Sequence, residues 1–430
     1  MDPNVTANVT NSQVNPVIQP QLPVANVIQP AVVTPVTQVS NQPTQEQLSA
    51  AAASSDEYDM NVFDEISILK KKVAEANLPP ALKEKAQGMI LRLVKMSQKG
   101  NFSAEFEPVS EYINWIIKIP FGKYTQDNIE IDSVKATLDK YNYGLEPVKN
   151  RILEYLAVLK LQNKSNVPVE NTELSMSDEM KRLQGNSSHA PILCFVGIQG
   201  VGKTSIAKAI ATALDRKFMR LALGGMGNVT EIRGIPRGGD GAEPGQIIKS
   251  IIRTGVMNPL ILLDEVDKTS AQSGVRTDVM AALLEILDPE QNSTFSDKYL
   301  DYPIDLSKCI FICTANNLGG ITAALLDRLE VIRFGSYTDS DKVMIAKNYL
   351  LPKVREATGL GEDQLAFADD VWPTVIRPLG FDAGVRQLER TLTELARKVA
   401  LQIVRGTVKS VTITQQNFRE FIPEDIGVYS

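Results

Sequence analysis

Apolar side chains recur at helical spacing soon after residue 60: Phe63, Ile66, Leu69 and Val73 share one face before Leu78-Pro79-Pro80 breaks the pattern. A second helix is expected from Ala81 to about Gln98, and a third carries Tyr112, Ile113, Ile116 and Ile117, the group closing at Pro120. A further helix is expected over roughly Pro147–Leu161, ahead of a polar stretch, Asn163 to His189, read as a surface loop. The pattern then changes. Ile192 to Val196 is a continuous apolar run of strand length, followed by a glycine-rich turn and an amphipathic helix to about Leu214. Leu260–Leu263 and Cys309–Cys313 are further short aliphatic strands with helical segments between them. Such alternation predicts an α/β fold with a mostly parallel sheet covered on both faces. From Thr338 the chain reads as helical to Val404, with a short strand at Ser410–Ile413.

The first 57 residues are foreign to this pattern. Seven prolines fall in the first 50 positions among Val, Gln, Asn and Thr, which argues for a disordered, partly polyproline-like tail. Whole-chain composition excludes several functions. With 45 basic against 51 acidic residues and a formal charge of -6, there is no electrostatic reason to expect nucleic acid or an anionic membrane as partner. Three cysteines and one histidine build neither a disulfide framework nor a closed zinc site, so Cys194, Cys309 and Cys313 are expected to be buried thiols. His189 lies in the polar stretch, which leaves a Ser-His-Asp triad without support. No run approaches a membrane span, and no Lys or Arg precedes Lys70, so the expectation is a soluble, cytoplasmic protein.

The chemistry concentrates after the first strand. Gly197-Ile198-Gln199-Gly200-Val201-Gly202-Lys203-Thr204 fits the phosphate-binding loop pattern in its required strand-turn-helix context. Glycines let successive N–H groups turn towards phosphate oxygens at the positive end of the next helix. Lys203 would reach the outer phosphates of ATP, and the Thr204 hydroxyl would coordinate Mg2+. Leu260–Leu263 ends in Asp264-Glu265, placing two carboxylates at the carboxyl edge of the sheet. Asp264 would hold the metal ion and Glu265 would polarise an attacking water. Asn316, three residues beyond the strand Cys309–Cys313, could orient that water. Arg328 and Arg386 are candidates for stabilising phosphate charge; spacing alone does not select them over surface or salt-bridging arginines.

Several longer stretches carry a resemblance to a known family: IPFGKYTQDN, YNYGLEPVKNRILEYLAV, ILCFVGIQGVGKTS, LILLDEVDK, LLEILDPEQNSTFSDKYL, TANN, LLDRLEVIRF, YLLPKV and DAGVRQLER. Together they resemble the ATPase module of Lon-type ATP-dependent proteases, within the AAA+ superfamily, over about Asp64 to Glu420. The resemblance implies a sensor-1 role for Asn316, and for Arg328 an arginine finger donated to the neighbouring subunit. It implies a sensor-2 role for Arg386, and adenine packing for Tyr143, Gly144 and Leu145. A finger acting in trans implies a homo-oligomeric ring, usually a hexamer in this family. The implied division is a tail over 1–57, a helical arm over 58–125, an AAA+ α/β core over 126–335 containing the 163–189 insert, and a helical lid over 336–425.

Departures from the family pattern shape the functional expectation. The sequence given reaches Ser430 without the family's peptidase domain, and a Pro/Gln-rich stretch stands where a β-rich substrate-binding domain is usual. The chain is therefore expected to act as an ATPase on a protein substrate or a separate partner peptidase. Alternatives are a nucleotide-gated scaffold, or the ATPase part of a truncated or split protease. The family's aromatic-aliphatic pore-loop pair falls on Gly239 and Asp240, with Glu243 replacing an apolar residue, so a collar of negative charge is expected there. Ile198-Gln199 replaces the usual Pro-Pro of the phosphate loop, a small change because the cradle uses backbone N–H groups.

Overall fold

Five strands make the central sheet, in the order β2-β3-β6-β1-β7: β1 Ile192–Val196, β2 Phe218–Ala222, β3 Leu260–Asp264, β6 Ile310–Ala315 and β7 Leu329–Arg333. All four pairings are parallel. The computed structural model describes residues 64–97, 103–165, 192–268, 273–376 and 384–422. The expected tail and His189 lie outside these residues.

Period-two alternation divides the sheet's side chains between two hydrophobic clusters. Cys194, Val196, Ile261, Leu263, Phe311 and Cys313 enter one cluster, while Leu193, Phe195, Leu260, Leu262 and Ile312 enter the other. Strand β3 is buried along its whole length, as expected for a parallel strand covered on both sides. The first face is covered by the helices Gln246–Thr254 and Ser273–Leu287 and by the amino-terminal helices, so Ile66, Leu82, Ile90 and Ile116 belong to the same core as the sheet. The second face carries Ile131–Tyr141, Glu146–Ser165 and Lys203–Ala213.

The amino-terminal helices, 64–75, Pro80–Ser97 and Ser103–Ile116, are anchored by polar contacts as well. The buried Tyr112 hydroxyl donates to the Leu300 carbonyl at 3.0 Å, and Lys85 pairs with Asp301 at 2.8 Å. Arg237, next to the Gly239-Asp240 loop, stacks on Tyr112 at 4.4 Å.

A third cluster forms the helical lid, around Leu351, Trp372, Leu388, Leu392 and Leu395. Its first helix, Asp339–Ile345, starts at a capping box in which Thr338 accepts from the Asp341 amide and Asp341 accepts from Thr338. Helical backbone continues through a π segment, Ala346–Leu350, to Thr358. The long helix Arg386–Val404 presents Leu388, Leu392, Leu395 and Val399 to the core at helical spacing.

Some elements differ from the sequence expectation. The helix expected to end near Leu161 runs to Ser165, so the start of the expected insert at Asn163 is helical; 166–191 lie outside the described residues. Cys309 precedes β6 and is only partly buried, donating to the Met257 carbonyl, whereas Cys194 and Cys313 are fully buried. Strand β9, Val411–Ile413, pairs in parallel with β8, Leu365–Phe367, which helical periodicity concealed. A β4–β5 antiparallel pair, Phe295–Asp297 with Tyr302–Ile304, also went unforeseen; three-residue strands carry too little periodicity to stand out.

Candidate nucleotide site

Parallel pairing brings three loop starts to one edge. Val196 of β1 is in register with Ala315 of β6, and Leu263 of β3 with Cys313 of β6. The turn after β1, the Asp264-Glu265 pair and Asn316 therefore emerge side by side from the carboxyl ends of three adjacent strands, where ligands bind in such sheets. Asp264 is the last residue of β3 and Asn316 follows β6 directly, closer than the expected three-residue gap.

The turn over Gly197–Thr204 has the backbone that phosphate binding needs. Gly200 and Gly202 have φ of 82° and 93°, which side-chain-bearing residues rarely adopt. Gly202 is also the N-cap of Lys203–Ala213 and makes no side-chain cap hydrogen bond, so the first-turn N–H groups are left for an anion. Ile198 and Thr204 are exposed, while Val201 is buried beneath the turn. Lys203 Nζ lies within the turn, donating to the carbonyls of Gly197 and Ile198 and to Asn316 Oδ1 at 3.2 Å. Burial pulls its ammonium below the usual lysine value, opposed by Asp264, Asp267 and Glu265. A phosphate chain would replace those carbonyl acceptors with anionic oxygens. The residues thus fit a nucleotide triphosphate, and the hard oxygens of Thr204 and Asp264 suit Mg2+.

The acidic pair is held by groups that the sequence did not flag. Asp264 Oδ1 accepts from the buried Thr314 hydroxyl, and Oδ2 accepts from Arg220 Nε at 2.6 Å. The register explains both contacts. Ala222 is opposite Asp264, so Arg220 lies two residues away on the same face of β2, and Thr314 is the next residue after the Leu263–Cys313 pair. Glu265 has φ 59°, uncommon for a non-glycine residue, and its N–H donates to Thr314 Oγ1 at 3.0 Å. Its carboxylate pairs with Lys268 at 3.0 Å. Asp267 Oδ2 accepts from the amides of Asn316 and Asn317 at 3.1 and 3.2 Å, pinning the segment after β6 to the segment after β3. TANN and DEVDK were visible as motifs; the pairing of their polar atoms needed the register.

The lid closes over the turn. The Val385 amide donates to the Gly200 carbonyl at 3.2 Å, and a Cβ on Gly200 would meet the Arg386 and Val385 amides at 3.2 Å. Gly384 lies so close to Gln199 and Gly200 that a side chain there would collide with the loop backbone. Arg386 is thereby at the phosphate loop, its guanidinium 3.5 Å from Gln199 Oε1. Tyr337 donates to the Val201 carbonyl at 2.9 Å. Opposite, Gly144 and Leu145 make a left-handed turn, φ 61° and 58°, with Leu145 packed on the core cluster and Tyr143 on the lid cluster. That turn touches both clusters.

Arg328 is not gathered into this site within the chain. It precedes β7, 40% exposed, and its guanidinium bonds Asp288 Oδ2 at 3.0 Å and the Ala324 carbonyl at 3.2 Å. Against desolvation, the Glu290 amide and Arg328 hold the Asp288 carboxyl below the usual range. The expected acidic collar is also reduced: Glu243 pairs with Lys249 at 2.6 Å, and Arg237 flanks the same loop. Asp240 itself is exposed.

A phosphate loop, a strand-end acidic pair, a polar residue from the adjacent strand and a helical lid on the loop define a P-loop ATPase of the AAA+ class. Residues 193–337 match the ATPase family associated with various cellular activities, and residues 356–411 match the Lon protease AAA+ ATPase lid domain. Lon protease 1 of Bacillus subtilis (strain 168) is 42% identical over 365 residues, covering 85% of this chain and 44% of that protein. The Lon protease of Dictyoglomus thermophilum is 43% identical over 363 residues, covering 84% and 42%. That of Desulforamulus reducens is 42% identical over 350 residues, covering 81% and 40%. The chain is therefore an AAA+ ATPase homologous to the ATPase region of Lon proteases, and it spans about two-fifths of the length of these curated relatives. Among the described residues no helix is long and apolar enough to cross a membrane.

Proposed function

We propose that this chain hydrolyses Mg-ATP at the edge formed by β1, β3 and β6, and couples the cycle to remodelling or regulating a protein partner in protein quality control. In this reading the 197–204 turn and Lys203 hold the phosphates, and Thr204 and Asp264 hold the metal ion. Glu265 polarises water, Asn316 orients it, and Arg386 reports lid closure. The observation that carries the proposal is the convergence on Lys203, whose ammonium meets Asn316 and the phosphate-loop carbonyls while Asp264, Asp267 and Glu265 act on it electrostatically. Bound Mg2+ would supply charge neutralisation of the phosphates. A homo-oligomeric ring, usually a hexamer in relatives, gives Arg328 its target, because within one chain its partner is Asp288. A cytoplasmic location accords with three free thiols, two of them buried.

The test is ATP turnover by the purified chain with Mg2+, abolished by EDTA, set beside Glu265→Gln. The variant keeps Asp264 and should bind Mg-ATP normally while turnover falls about 10²-fold, the scale of a lost general base. Unchanged turnover would remove Glu265 from the chemistry.

Threading of polypeptide is expected to be weak. A gripping loop works by burying apolar surface on the moving chain, roughly 25 cal/mol per Å². Gly239 has no side chain to offer, and Asp240 resists desolvation. Gly239→Tyr/Asp240→Val should raise substrate-stimulated turnover on an unfolded protein. Efficient unfolding of a stable fluorescent substrate by the unaltered chain would disprove this reading.

A further inference from the structure

One side chain without a part in the proposed cycle hydrogen-bonds both residues of the acidic pair. Thr314 is fully buried near the end of β6. Its hydroxyl has a single proton, and the two contacts fix how it is used. Ionised Asp264 can only accept, so the proton goes to Asp264 Oδ1; the Glu265 N–H can only donate, so it takes the hydroxyl lone pair. One oxygen atom therefore sets the rotamer of Asp264 and secures the peptide on which Glu265 adopts its left-handed backbone. Arg220 fixes the second oxygen of Asp264 from the opposite side. Two residues beyond Thr314, Asn316 bonds Lys203 and is held by Asp267, three residues past the end of β3. The two strand ends are thus joined in both directions, by the β6 hydroxyl of Thr314 on the β3 carboxylate of Asp264 and by the Asp267 carboxylate, just after β3, on the amides just after β6.

We propose that Thr314 is a positioning residue for ATP hydrolysis, whose hydroxyl aligns Asp264 towards the metal ion and Glu265 towards the attacking water. The inference rests on the reading of Asp264 and Glu265 given above. It differs from a packing role because the methyl and the hydroxyl of threonine separate in substitution. Thr314→Val keeps the shape and loses both hydrogen bonds; Thr314→Ser keeps both and loses the methyl.

The experiment measures turnover and the affinity of a fluorescent ATP analogue, with Mg2+ and with EDTA, for the full chain and its variants. Thr314→Val should lower kcat at least about tenfold and shrink the affinity gained on adding Mg2+, with metal-free binding within about twofold of normal. Thr314→Ser should restore kcat to within about threefold. Thr314→Ala serves as a second hydroxyl-free variant should valine fail to fold, and is expected to behave as valine does. Normal kcat and normal metal response in the hydroxyl-free variants would overturn the proposal. So would equal losses in the serine and valine variants, which would assign the effect to packing. Glu265→Gln measured alongside separates the premises: normal turnover there retires the acidic-pair reading itself, whereas reduced turnover there with an unimpaired Thr314→Val retires only the role of Thr314.

Discussion

Lys203→Ala should eliminate tight nucleotide binding, with the dissociation constant of ATP rising about 10³-fold or more, as read by calorimetric titration. The residue supplies the only ammonium aimed into the 197–204 turn among the described residues, 3.0 Å from the Ile198 carbonyl and 3.2 Å from Asn316. Truncating one partner of a desolvated charge pair costs about 4 kcal/mol or more, which is that factor in affinity. The fold should tolerate the change. Lys203 is the first residue of its helix and only partly buried, and alanine is a good helix former. Unchanged affinity would dissociate this turn from phosphate binding.

Arg328→Ala should leave nucleotide affinity of the isolated chain largely intact and reduce turnover about 10³-fold, the lower range for loss of an arginine finger. Within the chain the guanidinium bonds Asp288 and the Ala324 carbonyl and makes no contact with the phosphate loop, so a role in hydrolysis requires a neighbouring subunit. Mixing Arg328→Ala with Lys203→Ala chains tests that requirement. Co-assembled rings contain interfaces with one intact finger and one intact loop, so partial turnover should return. No recovery despite confirmed co-assembly would place Arg328 in a role within its own subunit. Removing the guanidinium also leaves the mostly buried Asp288 carboxylate with the Glu290 amide and the Gln291 side chain as partners, so thermal stability should be recorded in parallel.

Much of the architecture was legible in the sequence, for a physical reason. A parallel strand buried on both sides must be apolar throughout, which made Ile192–Val196 and Leu260–Leu263 conspicuous. A turn that accepts phosphate needs glycine where φ is positive, which exposed 197–204. The acidic pair, and Asn316 shortly after a strand, stood out from local residue order, whereas Arg386 was singled out only through the family resemblance, because spacing alone does not select it. The same local character misled at Asn163–Ser165, where polar composition concealed the last turn of a helix, and at Leu365–Phe367, where three residues are too few for a period to show.

What the sequence alone determined was the set of chemical groups and the elements carrying them. Their partners were decided only by tertiary structure, because hydrogen bonds between adjacent parallel strands depend on a register that no single strand encodes. Thr314 and Asp264 are 50 positions apart and Arg220 and Asp264 are 44 apart, yet each pair meets because β2, β3 and β6 align residue by residue. Charge was redistributed in the same way. Glu243 reads from sequence as part of a negative collar, but Lys249, six positions on in the next helix, bonds it. The closure of Gly384–Arg386 onto Gly200 likewise required the lid's own core to form, since nothing in DAGVRQLER specifies which loop its glycine will face.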